Sequence, residues 1–137
     1  MVKIVNDSFT VRTKRRCEMI DITSDVRKVV GQSGAKNGDV IVYCPHTTAG
    51  ITINENADPD VPRDILLTLS ELIPQDRPEY RHCEANSDSH VKSSLVGCSE
   101  QVLVKGSKLC LGTWQAIYFC EFDGPRTRQV LVQVRGE

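Results

Sequence analysis

Apolar and polar positions alternate at two different periods along this chain. Lys3 to Val11 and Cys17 to Ile22 read as strands, joined by the basic run Arg12-Thr13-Lys14-Arg15-Arg16 as a solvated hairpin connection. Thr23-Ser24-Asp25 offers helix N-caps, and Val26, Val29 and Val30 form a short apolar stripe that should end near Gly31 to Gly34. Asn37-Gly38 carries a turn signal. Asp39 to Cys44 is a continuous apolar run, suited to a strand buried on both faces, and it delivers His46 at its end. Gly50 to Ile53 is a second short apolar stretch, leading into the polar segment Asn54 to Asp60.

The clearest helical spacing is Ile65, Leu66, Leu69, Leu72 and Ile73, with Asp58 or Asp60 as cap and Pro74 as stop. A shorter helix capped by Ser87 or Asp88 should run through Lys92 and Leu95 to Gly97. Strands over Gln101 to Lys105, Trp114 to Phe122 and Arg128 to Arg135 complete the chain. The Trp114–Phe122 strand is apolar on both pleat faces. Either the sheet folds onto itself, or a neighbouring subunit does the covering; the second is expected, and with it an oligomer.

Composition narrows the function classes. The 17 Lys and Arg nearly balance 18 Asp and Glu, so no net field directs the chain to nucleic acid or an anionic membrane. No stretch approaches the roughly 18 apolar residues of a spanning helix, and the first residues lack the pattern of a secretory signal. A cytoplasmic location is expected. The six cysteines include no Cys-x-x-Cys, and Cys44, Cys98, Cys110 and Cys120 lie in or beside apolar segments. Reduced, mostly buried thiols are expected, with Cys83, next to His82, as the exception that could react.

The candidate chemistry centres on the only three histidines, His46, His82 and His90, all in short polar stretches. Neutral imidazole is the commonest side-chain metal ligand. The eight residues from His82 to His90 would span about 26 Å as a strand or about 12 Å as one helix. The segment must double back if both rings share an ion, and Asn86 to Ser89 are turn-forming types. Around them, Thr47, Thr48 and Ser93 supply hydroxyls, Lys92 and Arg126 positive charge, and Asn54, Asn56 and Asn86 orienting amides. Glu55, Asp58, Glu84, Asp88, Glu121 and Asp123 could hold Mg²⁺, carry protons or orient a histidine. Each has a plainer reading: Asn54 to Asp60 as a helix-capping loop, Asp123-Gly124 as a hairpin turn, Lys92 as a solvated helix residue. No His-Glu-x-x-His spacing and no Gly-rich phosphate loop occurs.

Three blocks of the sequence carry a resemblance. They are Pro45-His46-Thr47-Thr48-Ala49-Gly50-Ile51-Thr52-Ile53-Asn54-Glu55-Asn56, the run His82-x-Glu84-x-Asn86-x-Asp88-x-His90-x-Lys92-Ser93, and Gly112-Thr113-Trp114 through Glu121-Phe122-Asp123-Gly124-Pro125-Arg126. Together they closely resemble the YjbQ family, the secondary thiamine-phosphate synthase enzymes. The resemblance implies a single compact α+β domain over residues 1–137, with a β-sandwich-like mixed sheet and two or three helices on one side. It also implies a homotrimer, and a site near the subunit boundary where His46, His82 and His90 gather around a divalent metal ion, zinc or magnesium. The implied activity is weak coupling of a pyrimidine diphosphate to a thiazole phosphate with release of pyrophosphate. In that reaction Lys92 and Arg126 would neutralise the departing diphosphate, and Glu55, Asp58 and Asp123 would support the metal or a ligating ring. A metal-dependent hydrolase of a phosphorylated metabolite and a non-catalytic metal or metabolite binder are the alternatives. Cys98 follows Gly97 where the family commonly has proline.

Overall fold

The computed structural model describes residues 1–137. In chain order the elements are β1 (Lys3–Arg12), β2 (Glu18–Asp21), α1 (Thr23–Ser33), β3 (Asn37–Tyr43), β4 (Ala49–Glu55), α2 (Asp60–Leu72), α3 (Ser87–Val96), β5 (Ser99–Lys105), β6 (Lys108–Leu109), β7 (Gln115–Glu121) and β8 (Thr127–Gly136). They form an α+β sandwich of two sheets: five strands in the order β1-β8-β3-β5-β6, and three in the order β2-β7-β4. Every pairing is antiparallel, where a mixed sheet was expected.

The period of two in the strands decides the packing. Val130, Val132 and Val134 of β8 alternate with exposed or half-buried neighbours and point inward beside Val40, Val42, Val102 and Val104. Ile51, Ile117 and Phe119 answer from the three-stranded sheet, and Val26, Val29 and Val30 of α1 enter the same core. Helices α2 and α3 lie with the three-stranded sheet, whereas α1 packs against β6, β8 and β7.

β7 explains its own unbroken apolar run. Ile117 and Phe119 face the five-stranded sheet. Ala116, Tyr118, Cys120 and Phe122 face the other way, onto Leu66 and Leu69 of α2, Val96 and Met19. Both faces are therefore covered within one chain, and this strand supplies no argument for a neighbouring subunit. Trp114 lies outside the strand and is 61% exposed.

Two expected hairpins are sheet crossings. β1 and β2 belong to different sheets, as do β7 and β8, so Arg12–Arg16 and Asp123-Gly124 connect layers rather than paired neighbours. Turn chemistry reports a change of direction but not the strand that follows as partner. Asn37-Gly38, expected as a turn, opens β3. A Cβ at Gly38 would stand 1.8 Å from the Arg135 carbonyl oxygen, so the glycine serves the close approach of two strands. No helix is long and apolar enough to cross a membrane.

Candidate functional site

Several connections cross between the sheets and meet along one seam. The β1–β2 and β7–β8 crossings are tied together, with the Thr13 amide donating to the Arg126 carbonyl at 2.9 Å and the Gly124 amide to the Arg16 carbonyl at 3.0 Å. The β3–β4 crossing joins them through the Phe122 amide on the Thr48 carbonyl at 3.1 Å. The α3–β5 crossing joins through the Cys44 amide on the Cys98 carbonyl at 2.7 Å. A Cβ on Gly50 would lie 2.5 Å from the Gly97 carbonyl oxygen, so β4 and the end of α3 touch backbone to backbone. Crossing backbone carries polar groups that must be paired, which is why the seam concentrates polar side chains in an otherwise valine-rich sandwich.

Two buried ionic clusters line it. In the first, Glu121 is fully buried and accepts hydrogen bonds from Arg128 on both carboxylate oxygens, from the Thr13 hydroxyl at 2.8 Å and from the Asp123 amide at 3.0 Å. Arg128 also donates to the Thr48 hydroxyl at 2.9 Å. Burial alone would raise the Glu121 carboxyl, but those donors outweigh it and hold the group below its ordinary value. In the second, buried Asp88 receives Arg16 through two nitrogens, at 2.9 and 3.0 Å, and the Lys92 ammonium at 2.9 Å. Here too burial pushes upward and the two cations win, so Asp88 is held low.

The three histidines form a row rather than a single centre. His46 and His90 line one open depression of about 400 Å³, with Thr47, Ala49, Ser93 and Cys98. His90 meets His82 edge to face, ring centroids 5.4 Å apart and planes at 90°. His82 lines a second depression with Arg77, Tyr80 and Ser87, and its Nε2 lies 3.6 Å from Glu84. His46 Nε2 accepts the Gln129 amide at 3.0 Å, which commits that nitrogen's lone pair. Burial, then the charge of Arg128, holds the His46 pKa below the usual histidine value.

The fit to a metal is therefore partial. Two imidazoles on one tetrahedral ion, with bonds of about 2.0–2.1 Å, place their ring centres about 5 Å apart. The His82–His90 pair matches that spacing. A third ligand does not join them, since no group of three or more His, Cys, Asp or Glu side chains converges as a metal cage. Within this chain His82 pairs with His90, and His46 shares a depression with His90 without joining that pair.

Other expected site residues divide into two groups. Thr47, Thr48, Asn86, Lys92, Ser93, Asp123 and Arg126 all reach the seam: Ser93 donates to the Thr47 carbonyl at 2.6 Å, and the Asn86 amide to Asp123 at 2.8 Å. Lys92 is buried and engaged by Asp88, so it is not a solvated helix residue and presents no free ammonium to a ligand. Arg126 is exposed and bound to Asp123 at 3.0 Å. Asn54 and Glu55 end β4, and Asn56 and Asp58 lie just beyond it, about 20 Å from its His46 end at roughly 3.3 Å per residue. There Asn56 donates to Asp21, Glu55 accepts the Tyr118 hydroxyl through its carbonyl, and Asp58 accepts the Asp60 amide at the start of α2. Neither Asp58 nor Asp60 caps α2 with its side chain: the N-cap position is Pro59, and Asp58 makes only a local turn onto the Asp60 amide.

Sequence reading missed Arg16, Thr13 and Arg128. Arg16 sat in a run that looked solvated, and Arg128 in an ordinary strand. The signal available for Arg128 was an arginine on the inward-facing parity of β8, among Val130, Val132 and Val134. The cysteines also depart from expectation, since Cys98 and Cys110 are exposed together with Cys83. Cys44 and Cys120 are buried, and burial pushes the Cys120 thiol up to about 12.

Fold and site together define a small antiparallel α+β sandwich with a histidine-bearing polar seam. The chain belongs to the YjbQ family: the family model, described as UPF0047 protein YjbQ-like, matches residues 7–137. It is 52% identical over 129 residues to the UPF0047 protein YugU of Bacillus subtilis, covering 94% of this chain and 98% of that protein. A UPF0047 protein of Methanocaldococcus jannaschii is 50% identical, covering 94% and 93%. Among solved structures, a YbjQ-like protein of Sulfolobus solfataricus superposes with a TM-score of 0.95 at 34% identity, covering all of both chains. A YjbQ/UPF0047-family protein of Clostridium acetobutylicum gives 0.92 at 52% identity, covering 93% and 98%.

Proposed function

We propose that the seam is the active site of a cytoplasmic, metal-assisted enzyme acting on a small phosphorylated metabolite. Its reaction is the weak thiamine-phosphate synthase type, joining a pyrimidine diphosphate to a thiazole phosphate with loss of pyrophosphate. The observation that carries the reading is the His82–His90 pair, whose 5.4 Å spacing suits two ligands of one divalent ion, zinc or magnesium. When bound, such an ion supplies charge neutralisation for a departing diphosphate. Arg126, exposed at the same seam, offers its guanidinium to phosphate oxygens, and Asp123 and Asn86 hold it in place. Thr47 and Ser93 line the depression that would receive the heterocycle. Lys92 balances Asp88, whose pairing with Arg16 ties α3, and with it His90, to the β1–β2 connection, rather than touching substrate.

Two ligands leave coordination positions for the substrate or for a neighbouring copy, which agrees with a homotrimer. Support for assembly comes from the outer face of the five-stranded sheet, where Tyr43, Leu103 and Leu131 stand 41%, 61% and 39% exposed. The six free thiols suit a reducing compartment.

The test is to quantify metal in the purified protein, then assay pyrophosphate release with and without the thiazole phosphate. Release that requires the thiazole is expected. Release without it would replace coupling with hydrolysis, and bound metal without release would make the protein a binder. His90→Ala is expected to lose metal and activity with its oligomeric state unchanged; full occupancy and activity in that variant would rule out the assignment.

A further inference from the structure

We propose that Cys44 and Cys98 form a reversible disulfide that responds to peroxide at the mouth of the His46–His90 depression. The β3–β5 ladder ends with Tyr43 opposite Ser99, and the same register carried one step further brings Cys44 level with Cys98. The Cys44 amide donates to the Cys98 carbonyl at 2.7 Å, so the two backbones are in register at that rung. Directly opposed residues of a hydrogen-bonded antiparallel rung have Cα atoms about 5.5 Å apart, inside the disulfide range of about 4.4–6.8 Å. Parity agrees: Cys44 follows the buried series Val40, Val42, and Cys98 has the parity of Val104, Val102 and the half-buried Glu100, at the exposed end of that face. The two sulfurs therefore lie on the same face of the sheet. Cβ atoms of opposed residues lie about 4.5–5.5 Å apart and disulfide Cβ atoms about 3.5–4.5 Å, so bonding requires a modest inward shift.

Accessibility differs between the two in the way the chemistry needs. Cys98 is exposed and lines the depression, while Cys44 is buried behind it. The Cys98 thiolate attacks a peroxide oxygen, giving a sulfenic acid and hydroxide or alkoxide. The Cys44 thiol then attacks that sulfur, forming the S–S bond and expelling water. The peroxide takes up the two electrons, and a dithiol returns them. Cys44 stands two residues before His46, with its thiol on the His46 carbonyl at 3.9 Å. Cys98 follows Gly97, where α3 ends. A bond between the sulfurs therefore draws the β3 end and the α3 end together, and with them His46 and His90. This inference stands independently of the coupling activity.

The experiment uses the full chain with the exposed competitors removed, Cys83→Ser and Cys110→Ser. Protein treated with hydrogen peroxide is denatured, alkylated and mapped by peptide mass spectrometry. A peptide linking Cys44 to Cys98 is expected, lost on dithiothreitol treatment and absent when Cys98→Ser is added. In parallel, the ring NMR signals of His46 and His90 should shift on oxidation and return on reduction. Conversion of Cys98 to sulfinic acid with Cys44 still alkylatable would overturn the proposal, as would linkage of Cys98 only to another molecule. Unmoved histidine signals in the linked protein would overturn the coupling to the depression.

Discussion

Arg128 of β8 grips both carboxylate oxygens of Glu121 of β7 and so ties the five-stranded sheet to the three-stranded one at the level of the functional seam. The pair is almost wholly withdrawn from water, with side chains 5% and 0% exposed. Buried ion pairs contribute little against a well-packed apolar pair, but breaking one strands a charge. Here Thr13, Asp123 and Thr48 complete the hydrogen bonding, so the cluster is closed.

Replacing one partner should therefore be far worse than replacing both. Arg128→Met is expected to destabilise by about 3–5 kcal/mol, and Arg128→Met with Glu121→Leu by clearly less. Urea unfolding of the two variants checks this; equal losses would mean that the stranded carboxylate is not the cause.

Asp88 carries a similar burden within α3. Asp88→Asn leaves Arg16 and Lys92 facing each other across a neutral amide, with Lys92 still buried. A stability loss of about 3 kcal/mol or more is expected. Lys92→Met, which leaves Asp88 paired with Arg16, should cost much less. Thermal denaturation that ranks the two the other way would show that Lys92, not Asp88, anchors the helix.

His46 should give the fold a pH dependence near neutrality. Its folded pKa lies below the ordinary value, so the unfolded chain binds the proton more readily. The associated stability is fully present above about pH 6.5, the unfolded value, and is lost as pH falls toward the lower folded value. The depressed carboxyls Glu121 and Asp88 act in a different window: their contribution is present above the ordinary carboxylate range and disappears in more acid solution. A melting temperature that declines between pH 7 and pH 5 in the native chain, and is flatter in His46→Gln, is the expected result.

Gly50 offers a test of the backbone contact between β4 and α3. Gly50→Ala places a methyl 2.5 Å from the Gly97 carbonyl oxygen and 3.2 Å from Val96. Neither strand nor helix end can yield without shifting α3, so destabilisation of about 1–3 kcal/mol is expected, together with altered ring signals from His90. Chemical denaturation and histidine NMR on the same sample measure both; an alanine variant of native stability would show that the contact is slack.

Much of the fold was legible because it depends on local pattern. Alternation in β8 and the helical spacing of Ile65, Leu66 and Leu69 carry through to the structure, although α2 only half-buries that stripe and leaves Leu72 71% exposed. The doubly apolar β7 correctly signalled a strand covered on both sides. Pairing was less legible. The stretches before and after Arg12–Arg16, and those around Asp123-Gly124, have hairpin chemistry and yet lead to opposite sheets.

The chain's own order of residues determined the α+β class, the family, and the fact that His46 and His82 sit on connections and His90 in the first turn of α3, none of them in the core. Only the tertiary structure decided which of them meet. It set His82 against His90, left His46 on the Gln129 amide, and sent Glu55 and Asp58 to the far end of β4. It also turned Arg16 from a surface charge into a partner of Asp88. The physical reason is that periodicity fixes which face of an element is apolar, whereas the meeting of distant side chains depends on where the connections cross between sheets, and no local spacing records that.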